Sequence, residues 1–319
     1  MNSTTTLPAR LRVSAIQQEA DGVVSLELCA EDGAPLPGWT PGAHIEIELA
    51  DKIVRHYSLC GNPADAQRWR IAVLRDDNSR GGSALIHDGF RPGRLVSASW
   101  PRNNFALVDT DRYLFIAGGI GITPMLPMIH EVAGRGKAWT LVYGGRTRGS
   151  MAFVDELSTV SDGELYVLPH DEHGLLDLDR FLGSPAPHTA VYCCGPGPLI
   201  DAVELRCASW PAGALHLERF TPRERPPLSA DGQFDVQLAR TGTTLSVPAD
   251  RTLLDVLEDA GIEIDNSCRA GICGTCELRV LGGIPEHHDD VLSDSERDSH
   301  EMILPCVSRS RSAVLVVDL

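Results

Sequence analysis

No run of apolar residues in the 319-residue chain approaches the roughly 18 that a membrane span requires, and the opening MNSTTTLPAR lacks an apolar stretch of signal-peptide length. A soluble cytoplasmic protein is the expectation. Basic residues are also scarce: 28 Lys and Arg against 44 Asp and Glu leave a net charge of −16. Binding nucleic-acid phosphates needs clustered cations, so this balance argues against a nucleic-acid partner. Internal repeats and low-complexity tracts are absent, and hydrophobic residues reach 43%, the make-up of a folded, loop-rich protein. The acidity is uneven. Residues 233–319 hold 16 acidic and 7 basic residues, or −9 of the total. Solubility and the steering of a basic partner both remain open as its purpose.

The length fits two or three domains of about 100 to 150 residues. In residues 1–104, Ile45, Ile47 and Leu49 alternate with Glu46 and Glu48, which predicts an antiparallel strand with one wet face. Short segments at Val23–Leu28, Ile53–Leu59 and Trp69–Leu74 are punctuated by Gly, Pro and Asp and suggest a small β-barrel. In residues 105–221, apolar strands around Tyr113–Ala117, Trp139–Tyr143, Leu165–Leu168 and Thr189–Cys193 alternate with helical stretches, predicting a parallel α/β sheet. Residues 222–232, polar and proline-rich, read as an extended linker. Residues 233–319 read as a compact α+β module, two strands and then a helix with Asp250 as N-cap and Leu253, Leu254, Leu257 and Ala260 on one face.

The strongest signal is chemical. Cys268, Cys273, Cys276 and Cys306 are spaced C-x4-C-x2-C-x29-C, the pattern of a plant-type [2Fe-2S] site. Two irons need four thiolates, and Gly271 and Gly274 let the chain wrap closely around them. A zinc site would normally present two C-x2-C pairs, and only one exists here. Arg269, inside the loop, reads as a structural or potential-tuning charge. Cys29, Cys60, Cys193 and Cys207 read as packing residues.

Two weaker motifs lie upstream. In the barrel, Arg55-His56-Tyr57-Ser58 ends a strand, and Arg80-Gly81-Gly82-Ser83 opens a helix whose free N–H groups suit a phosphate. Arg55 would neutralise that phosphate, Tyr57 would lie on an isoalloxazine ring, and Ser58 would bond near flavin N5. Backbone from Val73 and Leu74 to Arg75 is the expected edge contact. After the strand YLFIA comes Gly118-Gly119-Ile120-Gly121-Ile122-Thr123-Pro124, where glycines admit a dinucleotide and Pro124 sits in the first helical turn. The Rossmann fingerprint is not met, since a third glycine is misplaced and the next strand ends Gly144-Gly145-Arg146 instead of in an acid. Such a domain presents nicotinamide to a neighbouring flavin. Cys194-Gly195-Pro196 closes another strand at the same sheet edge. Ser58 and Cys194 are thus the side chains expected at the reacting centre, with burial in the core as the other reading of Cys194.

With these motifs in order, the whole chain resembles the phthalate dioxygenase reductase family of the ferredoxin-NADP reductase superfamily, with vanillate demethylase reductases sharing the domain order. The resemblance implies a flavin β-barrel, an NAD domain and a C-terminal β-grasp ferredoxin. It implies FMN at Arg55, His56, Tyr57, Ser58, Gly81, Gly82 and Ser83, and Phe220 closing over the ring. NADH is implied at the 118–124 loop, Arg146 and Cys194–Pro196, although Arg146 and Arg148 could hold the 2′-phosphate of NADPH. The implied partner is a Rieske-type oxygenase. A haem monooxygenase, or a carrier role without NADH oxidation, are the alternatives.

Overall fold

The computed structural model describes residues 9–50, 53–76, 81–223 and 232–319. Arg80, the opening residues 1–8 and most of the 222–232 linker lie outside the described residues. The chain divides into two compact units, the first ending at Phe220 and the second beginning at Thr221. No helix among the described residues is long and apolar enough to cross a membrane.

In the first unit, β1 (Ala9–Ala20), β2 (Val23–Ala30), β3 (His44–Ala50), β4 (Ile53–Ser58), β5 (Trp69–Leu74) and β6 (Leu95–Ala98) form an antiparallel sheet ordered β4-β3-β6-β1-β2-β5, with α1 (Gly82–Gly89) between β5 and β6 in the chain. Its edges meet in an antiparallel bridge between Leu59 and Ile71, which closes the sheet into a barrel. Ile45, Ile47 and Leu49 point into the core, as their alternation predicts. The other face of β3 is not wet. Glu46 is buried and accepts a bond at 3.0 Å from Nη1 of Arg102, a residue far along the chain that local alternation cannot see.

Strands β7 (Arg112–Gly118), β8 (Ala138–Gly145), β9 (Gly163–Pro169), β10 (Thr189–Cys194) and β11 (Leu215–Glu218) form a wholly parallel sheet ordered β11-β10-β7-β8-β9. Connecting them are α2 (Ile122–Gly134), α3 (Val154–Ser158), α4 (His170–His173), α5 (Leu178–Leu182) and α6 (Gly197–Arg206). Both faces of β7 are covered: Tyr113, Phe115 and Ala117 enter one core, Leu114 and Ile116 the other. That two-sided burial is why the strand reads as a continuous apolar run. The chain progresses from β7 to β8 and β9 and then returns to the opposite side of β7 at β10, so the crevice at their carboxyl ends is the sheet's switch point, where open α/β folds bind ligands.

The second unit holds a mixed sheet. β12 (Phe234–Leu238) pairs antiparallel with β13 (Thr244–Val247) across a turn at Gly242, whose φ is +72°. α7 (Leu253–Asp259) buries Leu253 and Leu257 against Val236 and Leu315. Its N-cap is Thr252 rather than Asp250: the Thr252 hydroxyl accepts the N–H of Asp255, whose carboxylate accepts the N–H of Thr252 in return. Beyond it come β14 (Leu278–Gly282), β15 (Pro285–Glu286), α8 (Asp294–Ser299), β16 (Met302–Ile303), β17 (Arg309–Ser310) and β18 (Val314–Val317). The sheet order is β13-β12-β18-β14-β16, with β15 and β17 forming a separate pair.

Candidate functional site

The cysteine loop follows α7. Cys273, Cys276 and Cys306 are buried and Cys268 is partly exposed. The thiols face each other two by two: Cys268 shares a hydrogen bond with Cys273, and Cys276 with Cys306. Cys268 also lies near Cys306, and Cys273 near Cys276, so the two pairs adjoin. Two sulfurs per iron is the grouping a [2Fe-2S] cluster needs, so the donor set fits it. Leu254, Leu292 and Leu304 pack against Cys276 and Cys306 and keep water away. Gly271 and Gly274 each hold φ of +70°, and Arg269 holds +50°. Only glycine adopts that region without strain. Arg269 is held there by α7, donating to Asp255 at 2.8 Å and to Glu258 at 2.7 and 3.2 Å. These ion pairs suit the structural reading of its place in the loop, and a cation this near the thiols suits the potential-tuning one. Asp290 donates its N–H to the Gly271 carbonyl and accepts Nε of Arg223 at 3.0 Å, so the start of the linker is fastened beside the loop.

On the barrel, β4 brings Arg55, His56, Tyr57 and Ser58 to one rim. Register sets Tyr57 beside Ile45 and Ser58 beside His44. Gly81, with φ of +82° and open space where a Cβ would stand, begins α1. A Cβ on Gly82 would lie 2.8 Å from Nε of Arg55, so the guanidinium and the open helix start are neighbours. The Ser83 hydroxyl, expected on a phosphate, accepts the N–H of Asp76 at 3.1 Å. Nε2 of His87 lies 3.0 Å from the Val73 carbonyl, leaving that expected edge contact already engaged, one residue before Leu74 ends β5. Burial pushes the Tyr57 phenol upward and keeps it neutral. Burial, with the cations of Arg102 and Arg55, lowers His56 to about 4.

At the switch point the glycines expected to admit a dinucleotide also serve contacts within the protein. Cβ atoms on Gly118, Gly121 and Gly195 would stand 2.6 Å from Pro196 Cδ, 2.3 Å from the Cys194 carbonyl oxygen and 2.9 Å from Gly118 Cα. These three glycines let the loop after β7 and the loop after β10 touch backbone to backbone. Gly119 is the one that faces open space, with φ of +54°. The Thr123 hydroxyl donates to the Ile120 carbonyl at 2.9 Å, fixing the turn that precedes Pro124 in α2. Arg146 is exposed, and its carbonyl accepts the N–H of Asp171 at 3.2 Å. Phe220 is 39% exposed just past β11.

Residues 115–205 match the family described as an oxidoreductase NAD-binding domain, and residues 236–311 the 2Fe-2S iron-sulfur cluster binding domain. Over 314 residues the chain is 39% identical to the phthalate 4,5-dioxygenase oxygenase reductase subunit of Pseudomonas putida, covering 97% of this chain and 96% of that one. The chain belongs to the phthalate dioxygenase reductase family. It is also 40% identical to a vanillate O-demethylase oxidoreductase of Pseudomonas sp., over 96% of this chain and 98% of that one. A solved phthalate dioxygenase reductase, described as a modular structure for electron transfer from pyridine nucleotides to [2Fe-2S], aligns over 97% of both chains at 37% identity with a TM-score of 0.68. A solved type IV self-sufficient cytochrome P450 monooxygenase aligns over 98% of this chain at 39% identity with a TM-score of 0.93, and the chain spans 41% of its length.

Membership of this reductase family makes the protein an oxidoreductase with an NAD-binding domain and a [2Fe-2S] domain, as the motifs imply. One polar residue at the crevice escapes those motifs. Glu218, paired in register with Cys194, sets its Oε2 4.0 Å from the Cys194 sulfur. Burial pushes the Glu218 carboxyl up to about 8. Cys194 itself is fully buried, and burial, with Glu218 beside it, holds the thiol protonated. Glu218 closes β11, Leu215–Glu218, and could be found by noting that an acid ends a strand at the ligand edge of the sheet.

Proposed function

We propose that the protein passes hydride from NADH to FMN on the barrel rim and then single electrons through its [2Fe-2S] cluster to the Rieske component of an oxygenase. Residues 1–104 would hold the flavin, 105–221 the NADH and 233–319 the cluster, with 222–232 as linker. The observation that carries the reading is the two-by-two arrangement of Cys268, Cys273, Cys276 and Cys306 in a chain that also holds an NAD-binding sheet. A flavin, when bound, supplies the conversion of a two-electron hydride into the single electrons a [2Fe-2S] centre accepts.

The remaining work is done by the chain's own groups. Arg55 would offer a cation, and the start of α1 beside it at Gly82 its backbone N–H groups, to one phosphate. Tyr57, neutral and largely buried, offers a flat apolar face, and Ser58 a hydroxyl at the end of the same strand. Gly119 and the start of α2 receive the dinucleotide. Cys194, kept as a thiol, and Glu218 shape the nicotinamide end without acting as nucleophile or base, and Phe220 covers the ring. We place the protein in the cytoplasm, where thiol ligands stay reduced.

Anaerobic NADH should bleach the yellow-brown protein and raise the electron paramagnetic resonance signal of a reduced cluster. Heat-released flavin should be FMN, and FAD would overturn that assignment. Cys276→Ser should abolish cytochrome c reduction and spare ferricyanide reduction; a variant that loses neither refutes the cluster route. Similarity to the self-sufficient P450 favours a second reading, a haem monooxygenase as acceptor. Turnover with one purified acceptor and not the other decides between them.

A further inference from the structure

Within the first unit, barrel residues Cys60 and Ala72 share a core with Ile122 and Phe153 of the parallel-sheet half. An apolar contact resists separation but fixes register poorly, whereas paired charges are directional. Across this contact Arg70, on β5, donates Nη2 to both carboxylate oxygens of Glu156, on α3, at 3.0 and 3.1 Å. The same guanidinium donates to the Cys60 carbonyl from Nη2 at 2.8 Å and Nε at 3.2 Å. It also lies 5.1 Å from the centroid of the Phe153 ring. Phe153 holds φ of +62° as the residue that starts α3, so the guanidinium rests on a strained and therefore specified position. From α2, Nε2 of His130 lies 3.2 Å from Glu156 Oε1. Burial alone would raise the Glu156 carboxyl, but the bonds from His130 and Arg70 hold it near 2, so the pair stays ionised at any working pH.

What this network joins gives it a purpose. Cys60 is two residues past Ser58, and its N–H donates to the Arg70 carbonyl at 2.8 Å. β5 packs against the turn at Gly119–Gly121 from which α2 springs. One guanidinium therefore ties the strand of Ser58 to the helices that carry the dinucleotide turn. We propose that Arg70 is a positioning residue that, through Glu156, sets the distance and angle between the flavin rim and the nicotinamide crevice. This rests on the reductase reading above.

The test compares Arg70→Gln and Glu156→Gln holoproteins with wild type. Measured are hydride transfer at saturating NADH, NAD⁺ affinity by calorimetry, the long-wavelength absorbance of reduced flavin with NAD⁺, flavin content and melting temperature. Both variants should slow hydride transfer about tenfold, because sub-ångström misplacement is costly at a reacting centre. The long-wavelength band should weaken, with NAD⁺ affinity within about twofold and flavin retained. Arg70→Lys, which keeps the charge and loses the fork, should fall between. An unchanged rate and band in either Gln variant overturns the proposal, and so does a loss that merely tracks flavin content or melting temperature. A wild-type protein that holds no flavin, or that NADH does not reduce, refutes the reductase reading itself and is recognised before any variant is compared.

Discussion

Replacing Gly121 by Ala would set a methyl carbon 2.3 Å from the Cys194 carbonyl oxygen and 2.5 Å from its carbon, where ordinary contact begins at 3.4 Å. Both neighbours are backbone, so the loops after β7 and β10 must part by about 1 Å, an overpacking that typically costs about 1 to 3 kcal/mol. Gly121 itself has a helical φ of −62°, so Ala meets no torsional objection there and the clash alone is tested. A displacement of about 1 Å between groups that align two reactants costs on the order of 100-fold in rate. Stopped-flow reduction by saturating NADH under anaerobic conditions measures that rate, and the dithionite-reduced cluster signal checks that the second unit is intact. Gly213→Ala, away from the crevice, is the contrast: nothing lies within 4 Å of its Cβ, but φ is +76°, so it should lose about 1 kcal/mol of stability and little rate. Wild-type reduction by Gly121→Ala, or equal slowing in both variants, would refute the assignment of Gly121 to loop contact.

Two further outcomes concern pH. The Glu218 carboxyl is raised by burial from 4.5 to about 8, so the native state holds a proton that the unfolded chain releases, and stability falls as pH rises through that interval. Glu218→Gln should therefore gain melting temperature relative to wild type between pH 5 and 8; a difference that is flat with pH counts against the buried carboxyl. His44 is lowered from 6.5 to about 4 by burial and by His56, its ring 5.5 Å away, so its contribution is present above 6.5 and lost as pH falls towards 4. His44→Gln should flatten the acid side of a melting-temperature profile, and an unaltered slope would exclude His44 as its source.

Local patterns proved legible where the physics is local. The alternation of Ile45, Ile47 and Leu49 marks a strand because burial follows the pleat, and the continuous run Tyr113–Ala117 marks one covered on both faces. Cysteine spacing is legible for the same reason, since all but Cys306 lie within one loop. Glu46 was not, because Arg102 and Ser99 cover it from a later segment of chain. Nor was the helix cap, where Thr252 and Asp255 form a reciprocal pair that outcompetes Asp250. The glycine motifs signal close approach, but which atom approaches is decided by a strand 70 and more residues away: Gly121 meets Cys194, and Gly119 meets open space. Glu218 owes its raised carboxyl to burial at the end of β11, with Cys194 beside it on the adjoining strand, a setting that only sheet order supplies.

The backbone contact among Gly118, Gly121 and Gly195 also bears on how tightly a coenzyme can be held. Loops that would otherwise have to be ordered by the arriving dinucleotide are already immobilised against each other when the chain folds, so their entropy is lost then and not at binding. Larger side chains at these three positions would turn a rigid receptor into one that each NADH molecule must first organise.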